Sequence, residues 1–302
     1  MSSLLVTPPF LKKGDTIAIA ATARKVSPEE IHFAIQEIQK RGYNIILASN
    51  IFESEHQFAG TDEARQKGLQ ELLDNPNVNA IFIARGGYGT IRILDSLDFT
   101  QFKKNPKWIC GFSDVTALHS HLFQLGFKSI HSTMPLLFHQ SEMAVNSLFD
   151  VLEGKKMHYP LNPHPLNREG LVKGLLVGGN LSVLYAISGS VSQIDYRNKI
   201  LFIEDIDEYL YHIDRMMMYF KRSGYLSQLK GLIVGGLTEM KDNNIPFGKT
   251  AEEIIYDAVK NYDYPVCFNF PSGHIRDNYA FIHGETIKLN VQKDKVIIVS
   301  DE

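Results

Sequence analysis

The first half of the chain alternates short apolar runs with helix-forming segments, and this alternation limits the fold more than any other feature. A short, largely apolar run is typical of a strand buried on both faces of a parallel sheet. Strands are predicted at residues 17–21, 43–48, 80–84 and 108–110, and helices at residues 28–42, 62–73, 90–97 and 115–125. This βα order predicts an α/β fold with a doubly wound, largely parallel sheet, which binds ligands beyond the carboxyl ends of its strands.

Two of the predicted helices have recognisable first residues. Ser27 suits the N-cap position, Pro28 the first helical position, and Glu30 the third position of a capping box. Thr61 is placed to cap the second helix. We therefore expect both helices to begin at these residues.

The second half is organised differently. Residues 158–167 hold three prolines without periodicity, which is typical of an interdomain linker. We therefore expect an α/β domain at 1–154, a linker at 155–169 and a β-rich α+β domain at 170–302. In the second domain, strands are predicted at 170–176, 200–203, 231–234, 266–269 and 286–289, and helices at 214–223 and 250–260.

Composition excludes several classes of protein. The 31 basic and 34 acidic residues give a net charge of −3, which provides no overall attraction to nucleic acid or an anionic membrane. No apolar run approaches the ~18 residues of a transmembrane helix, and residues 1–15 lack the basic start of a secretory signal. Cys110 and Cys267 are too few for a disulfide framework. The sequence predicts a soluble, cytoplasmic protein.

Ser113 follows the fourth predicted strand at an abrupt strand-to-helix junction. Such a junction can expose a nucleophilic hydroxyl above the sheet, as in the hydrolase elbow. The local sequence is GFSD rather than the Gly-x-Ser-x-Gly of α/β-hydrolases. In the alternative, Ser113 or Asp114 only caps the following helix.

A glycine-rich segment, RGGYG at residues 85–89, follows the third predicted strand. It lacks the glycine spacing of dinucleotide-binding loops and the Lys-Ser/Thr of P-loops. Paired glycines let backbone N–H groups approach a ligand closely. The segment is thus either a tight turn or a donor of hydrogen bonds to an oxyanion.

Acidic residues and a histidine follow strands of the second half. Glu204 comes directly after the strand at 200–203, within a group of acids that could form a solvated loop or, with further ligands, a metal site. His274 lies after the strand at 266–269 on a glycine-flanked loop, where a general base would have access to substrate. His119 and His121 face different sides of a helix, which argues against a metal pair.

Ser113, Glu204 and His274 therefore each follow an apolar strand, as a nucleophile, an orienting acid and a base require. The serine belongs to one predicted domain and the other two residues to the second. We expect the site to lie in the cleft between the domains.

The motifs RGGYG, GFSDVTALH, GGNLS, LFIEDIDEYLYHIDRM and SGH together resemble the LD-carboxypeptidase family of serine peptidases, which includes microcin C self-immunity proteins. The resemblance extends from residue 13 to about residue 284. It implies a Ser-Glu-His triad of Ser113, Glu204 and His274, with Glu208 as the other acid close by. It also implies an oxyanion hole formed by the backbone N–H groups of Gly87 and Asp114.

The resemblance further implies hydrolysis of a muropeptide tetrapeptide between the L-centre of a diamino acid and the terminal D-Ala. It implies no metal or organic cofactor, a small peptide as partner and a homodimer. Two alternatives stay open: an immunity-type peptidase that cleaves an aminoacyl nucleotide, and a catalytically silent peptide-binding protein. In one departure from the family pattern, FIHG at residues 281–284 replaces Leu-Pro-x-Gly.

Overall fold

A computed structural model of the chain describes residues 5–301. The chain forms two compact units. The first contains the chain up to Lys155 together with Tyr279–Ile282, and the second contains Lys156–Asn278 and the residues from His283 onward. The first four residues of the segment assessed for a secretory signal lie outside the described part. Over residues 5–301, no helix combines the length and apolarity needed to cross a membrane.

The first unit is an α/β unit with a six-stranded sheet in the order β11-β5-β4-β3-β1-β2. Its elements are β1 (Thr16–Ala20), α1 (Pro28–Lys40), β2 (Asn44–Leu47), α2 (Asp62–Asp74), β3 (Ala80–Ile83), α3 (Thr90–Ile93), α4 (Thr100–Lys104), β4 (Trp108–Gly111), α5 (Thr116–Gln124), β5 (Ser129–His131), α6 (Glu142–Leu152) and β11 (Phe281–His283). Short 3-10 helices cover Leu94–Ser96, Ser113–Val115 and Pro135–Leu137.

The strands from β1 to β5 are paired in parallel. Their order, β2-β1-β3-β4-β5, reverses direction between β1 and β3, and ligands of such sheets bind beyond the carboxyl ends of the strands at that reversal. The predicted doubly wound, largely parallel sheet is thus confirmed. The loops that follow β1, β3 and β4 share this edge of the sheet.

The predicted helix starts are confirmed. Ser27 Oγ accepts a hydrogen bond from the Glu30 backbone N–H, and the Glu30 carboxylate accepts one from the Ser27 backbone N–H. Thr61 Oγ1 accepts from the Ala64 backbone N–H. These caps satisfy N–H groups that the first turn of a helix leaves without partners.

The second unit is built on a seven-stranded sheet in the order β10-β9-β8-β7-β12-β13-β6. Strands β7 to β10 are parallel to one another, whereas β12, β13 and β6 continue the sheet antiparallel. The elements are β6 (His158–Leu161), β7 (Gly170–Asn180), α7 (Leu181–Ala186), β8 (Lys199–Ile206), α8 (Leu210–Arg222), β9 (Gly231–Thr238), α9 (Ala251–Val259), β10 (Val266–Cys267), β12 (Thr286–Val291) and β13 (Val296–Ser300), with a 3-10 helix at Leu226–Gln228.

The structure differs from the sequence-based prediction in several places. Strand β6 lies within residues 155–169, where a linker was expected; Pro160 is accommodated because β6 is an edge strand. Strand β8 continues through Ile206 and so contains Glu204 and Asp205, which excludes a solvated loop at those two acids. The helix expected at residues 90–97 is divided into α3 and a 3-10 turn. Cys110 and Cys267 are buried free thiols.

Candidate active site

Ser113 stands directly after β4 in a strained backbone conformation. Its φ is +64°, in the left-handed region, which costs a residue with a side chain about 1–3 kcal/mol. Within the described part of the chain, neither the 3-10 helix that begins at Ser113 nor α5 has a side-chain hydrogen bond at its N-cap. The strain is therefore not explained by helix capping, and strain of this kind concentrates at functional sites.

The carboxylate of Asp114 connects the Ser113 turn to the glycine-rich loop. Asp114 is buried, and its Oδ2 accepts a 2.8 Å hydrogen bond from the backbone N–H of Thr90, the residue that follows RGGYG. Burial raises the pKa of the Asp114 carboxyl, against the opposing hydrogen bonds from Thr90 and the charge of Arg65. The two loops are thereby held at a fixed separation.

Arg65, on α2, holds the same loop through hydrogen bonds. Its guanidinium is fully buried, and Nη1 donates to the carbonyls of Thr22 (2.7 Å) and Gly89 (3.0 Å). Sequence reasoning missed Arg65 and Thr90 as supporting residues. One signal was available: Arg65 lies at the helical spacing of the buried apolar residues of α2, and a charged side chain on that face requires buried partners.

The glycine-rich loop passes close to the serine. A Cβ on Gly86 would lie 3.0 Å from Ser113 Cβ and 3.1 Å from Ser113 Oγ, which leaves almost no room for a side chain. Gly87 has a φ of +114°, and a Cβ there would lie 2.5 Å from Arg24 Cδ. Glycine at both positions lets the backbone run beside the hydroxyl, as an oxyanion donor requires.

Glu204 and His274 form a close pair within the second unit. Nδ1 of His274 lies 2.6 Å from Glu204 Oε2, and the same oxygen accepts a 3.1 Å hydrogen bond from the His274 backbone N–H. The Glu204 side chain is fully buried, whereas that of His274 is 15% exposed. The carboxylate thus faces only protein, while the imidazole reaches the surface of its unit.

The loop that carries His274 is held by further hydrogen bonds. Asn278 Oδ1 accepts from Ser272 Oγ (3.0 Å) and from the Gly273 backbone N–H (2.9 Å). Thr238 Oγ1 donates to the carbonyl of His274 at 2.9 Å. These three hydrogen bonds fix the loop and so hold the imidazole ring in one position, as catalysis requires.

The electrostatic surroundings of His274 favour its protonated form. Burial is the largest influence and opposes the positive charge, but the charge and hydrogen bond of Glu204, with the charges of Asp205 and Glu239, outweigh it. The pKa of His274 is consequently raised above 6.5. A carboxylate on Nδ1 also selects the neutral tautomer in which Nε2 is the basic nitrogen.

The other acids of the group have separate partners. Burial, reinforced by the charge of Glu204, raises the pKa of Asp205 to about 7, and its carboxylate accepts from Asn180 Nδ2 and the Ser182 backbone N–H, each at 2.9 Å. Glu208, the other acid close to Glu204, lies 2.5 Å from His212 Nδ1. Among residues 5–301, no cluster of three or more histidine, cysteine, aspartate or glutamate side chains could hold a metal ion.

The predicted site residues are therefore distributed over the two units. Ser113, Gly87 and Asp114 lie at neighbouring loops of the first unit. Glu204 and His274 are in hydrogen-bond contact in the second. The arrangement supplies a strained serine beside backbone donors, and a histidine whose basic nitrogen is selected by a buried carboxylate.

Comparison with known proteins identifies the class of this chain. Residues 17–132 match the LD-carboxypeptidase N-terminal domain, and residues 173–289 match the LD-carboxypeptidase C-terminal domain. A probable murein peptide carboxypeptidase of Bacillus subtilis is 30% identical over 98% of this chain and 95% of its own length. The murein tetrapeptide carboxypeptidase of Pseudomonas aeruginosa is 25% identical over 90% and 92%, respectively.

Solved structures show the same fold. A muramoyltetrapeptide carboxypeptidase from Oxalobacter formigenes superposes with a TM-score of 0.87 at 27% identity, covering 95% of this chain and 99% of that one. MccF in complex with glutamyl sulfamoyl guanosine gives a TM-score of 0.86 at 20% identity over 99% of both chains, which shows the fold alone.

These matches make the protein a peptidase, a hydrolase of peptide bonds. It belongs to the LD-carboxypeptidase family. The resemblance inferred from the sequence motifs is thus confirmed, and so is the predicted fold class, a doubly wound α/β unit followed by a β-rich α+β unit.

Proposed function

We propose that the protein is a serine LD-carboxypeptidase that removes the terminal D-Ala from murein tetrapeptides. The bond that it hydrolyses joins the L-centre of a diamino acid to D-Ala. Support comes from the murein peptide carboxypeptidases that it resembles over nearly its whole length. The single observation that carries the proposal is the 2.6 Å contact between Glu204 and His274, the acid and base of the proposed triad.

The first half of the reaction transfers the peptide to the enzyme. His274 Nε2 takes the proton of Ser113 Oγ as this oxygen attacks the scissile carbonyl carbon, and the carbonyl π electrons move onto oxygen. The N–H groups of Gly87 and Asp114 stabilise the oxyanion, each contributing about 3–4 kcal/mol where such donors have been measured. Glu204 stabilises the imidazolium without itself taking the proton.

The second half regenerates the enzyme. The C–N bond breaks, His274 gives its proton to the departing nitrogen of D-Ala, and the tripeptide remains as an ester on Ser113. His274 then takes a proton from water, whose oxygen attacks the ester. The C–Oγ bond breaks and Ser113 regains its proton from His274.

The same proposal covers the cellular setting. Hydrolysis of tetrapeptides suits the recycling of cell-wall peptides in the cytoplasm, and the enzyme acts without metal, organic cofactor, nucleic acid or membrane. We expect a homodimer, as in the family. Sedimentation of the purified protein would check its oligomeric state.

The test is release of D-Ala from a purified murein tetrapeptide, with Ser113→Ala as the inactive control. We expect the substitution to lower kcat by more than about 1,000-fold, and EDTA to have no effect. Release that EDTA abolishes, or that persists in Ser113→Ala, would contradict the serine mechanism. An aminoacyl sulfamoyl adenosine serves as the competing substrate, and preferential cleavage of that compound would favour the immunity-type alternative.

A further inference from the structure

Arg24 lies at the edge of the first sheet where ligands are expected to bind. It follows β1, at the point where the strand order reverses between β1 and β3. The backbone around it is anchored, because the Lys25 N–H donates to the Gln57 carbonyl and the Ala59 N–H donates to the Ala23 carbonyl, each at 3.0 Å. The side chain of Arg24 is exposed although its backbone is held.

The side chain of Arg24 crosses the glycine-rich loop. A Cβ on Gly87 would lie 2.5 Å from Arg24 Cδ, 2.7 Å from Cγ and 3.4 Å from Nε, so the aliphatic stem covers this glycine. The adjacent Gly86 would place a Cβ 3.1 Å from Ser113 Oγ. The glycine that Arg24 covers is therefore the direct neighbour of the glycine that faces the Ser113 hydroxyl.

Arg24 differs from the neighbouring cations, Lys25 and Arg85, in the partners of its charged group. Lys25 Nζ is hydrogen-bonded to Ser54 Oγ at 2.9 Å, and Arg85 lies 3.7 Å from the carboxylate of Glu30. Arg24 has neither a hydrogen-bond partner nor an ion-pair partner for its guanidinium in the part of the chain that the structure describes. A guanidinium without a partner, whose aliphatic stem is held against the protein, is suited to bidentate binding of a carboxylate.

The proposed reaction places a carboxylate close to the scissile carbonyl group. In a carboxypeptidase, the terminal carboxylate belongs to the residue directly after the scissile carbonyl, and neighbouring Cα atoms are about 3.8 Å apart. If the oxyanion lies against the Gly87 N–H, the terminal carboxylate lies one residue further along the substrate. A guanidinium whose stem covers Gly87 can then reach it. Only a free C-terminal residue presents a negative charge there.

We propose that Arg24 binds the terminal carboxylate of the substrate and thereby restricts cleavage to the last residue of the peptide. This inference rests on the proposed function, since it assigns a specificity-determining residue to that reaction. The class of ligand that it specifies is a peptide with a free α-carboxylate, and a peptide whose C-terminus is neutral lacks the group that Arg24 would bind.

The test compares a murein tetrapeptide with its C-terminal amide. Arg24→Gln is expected to raise KM for the acid by about 10-fold to about 100-fold, the usual range for losing a charge-assisted hydrogen bond. For the amide, the same substitution should change kcat/KM by less than about 3-fold, because no charged pair is lost. Arg24→Lys should recover part of the affinity for the acid. Lys25→Gln is the matched control and should leave both substrates unaffected.

The outcomes separate this inference from the proposed function. If the unmodified protein releases D-Ala but Arg24→Gln matches it on the acid, or weakens acid and amide equally, Arg24 does not bind the carboxylate. If the unmodified protein releases no D-Ala from the acid, the proposed function fails and this inference fails with it.

Discussion

One oxygen of Glu204, Oε2, accepts hydrogen bonds from both the ring and the backbone of His274, at 2.6 Å from Nδ1 and 3.1 Å from the backbone nitrogen. This shared acceptor fixes the ring orientation and the loop conformation together. Because Glu204 is buried within β8, its position is set by the sheet. The imidazole is thus oriented by a buried side chain that the sheet holds in place.

Replacing the carboxylate of Glu204 tests that pair. Glu204→Gln keeps the shape of the side chain but removes the charge that stabilises the imidazolium, and its amide can face Nδ1 with a donor. We expect kcat for D-Ala release to fall by about 100-fold to about 10,000-fold. Glu208→Gln is the matched control, since Glu208 contacts His212 instead, and should change kcat by less than about 3-fold.

The dependence of activity on pH tests the state of His274. A general base must be unprotonated, and the pKa of His274 is raised above 6.5. Below that pKa the imidazolium cannot accept the serine proton, so kcat/KM should increase with pH and reach half its maximum above pH 6.5.

In Glu204→Gln the largest influence that raises the pKa of His274 is lost, while burial and the smaller contributions of Asp205 and Glu239 remain. The midpoint of the residual activity should therefore move to lower pH. Profiles of kcat/KM between about pH 5 and about pH 9 would measure both midpoints. A midpoint at or below the ordinary histidine value in the unmodified protein would count against His274 as the base.

We expect that activity does not tolerate a side chain at Gly273, next to the Glu204–His274 pair. Its φ is +106°, and a Cβ there would lie 2.7 Å from Cβ, Cγ and Oε2 of Glu204. Gly273→Ala should therefore displace the carboxylate and lower kcat by more than about 100-fold. The matched control is Gly248→Ala, which has a φ of +85° but nothing within 4 Å, so it carries the backbone strain without the collision.

Activity assays of both variants, with urea unfolding to confirm that each is folded, would separate these effects. If Gly273→Ala and Gly248→Ala lose activity to the same extent, backbone strain rather than the position of Glu204 is responsible.

Asp114 is expected to act by positioning the glycine-rich loop. Asp114→Ala removes the acceptor of the buried Thr90 N–H, and an unsatisfied buried donor costs about 1–3 kcal/mol of stability. Asp114→Asn retains an acceptor oxygen and should lose less stability and less activity. Urea unfolding and kcat measurements would check both variants, and equal losses would contradict a role for the Thr90 hydrogen bond.

Most of the first unit could be predicted from sequence because its strands and helices carry strong local signals. The apolar runs of β1, β3 and β4 and the capping box at Ser27 are such signals. Strand β11 could not be predicted, because its three residues pair with a strand about 150 positions earlier, and no local pattern encodes that pairing.

The limits at the candidate site have a similar cause. Ser113, Glu204 and His274 each come after an apolar run in the sequence, and this made them identifiable. The burial of Glu204 and Asp205 within β8 was not, because a cluster of acids normally indicates a solvated loop and only tertiary partners reverse that preference. Arg24 carries no motif, and its relation to Gly87 emerges only from the fold.

The most direct test of the proposed triad is to map where a serine-reactive fluorophosphonate attaches, by mass spectrometry of peptides from the treated protein. A nucleophile activated by its own histidine should be modified at Ser113, and the labelling rate should fall by about 100-fold or more in His274→Ala. Modification at another residue, or labelling of Ser113 at an unchanged rate in His274→Ala, would contradict the triad.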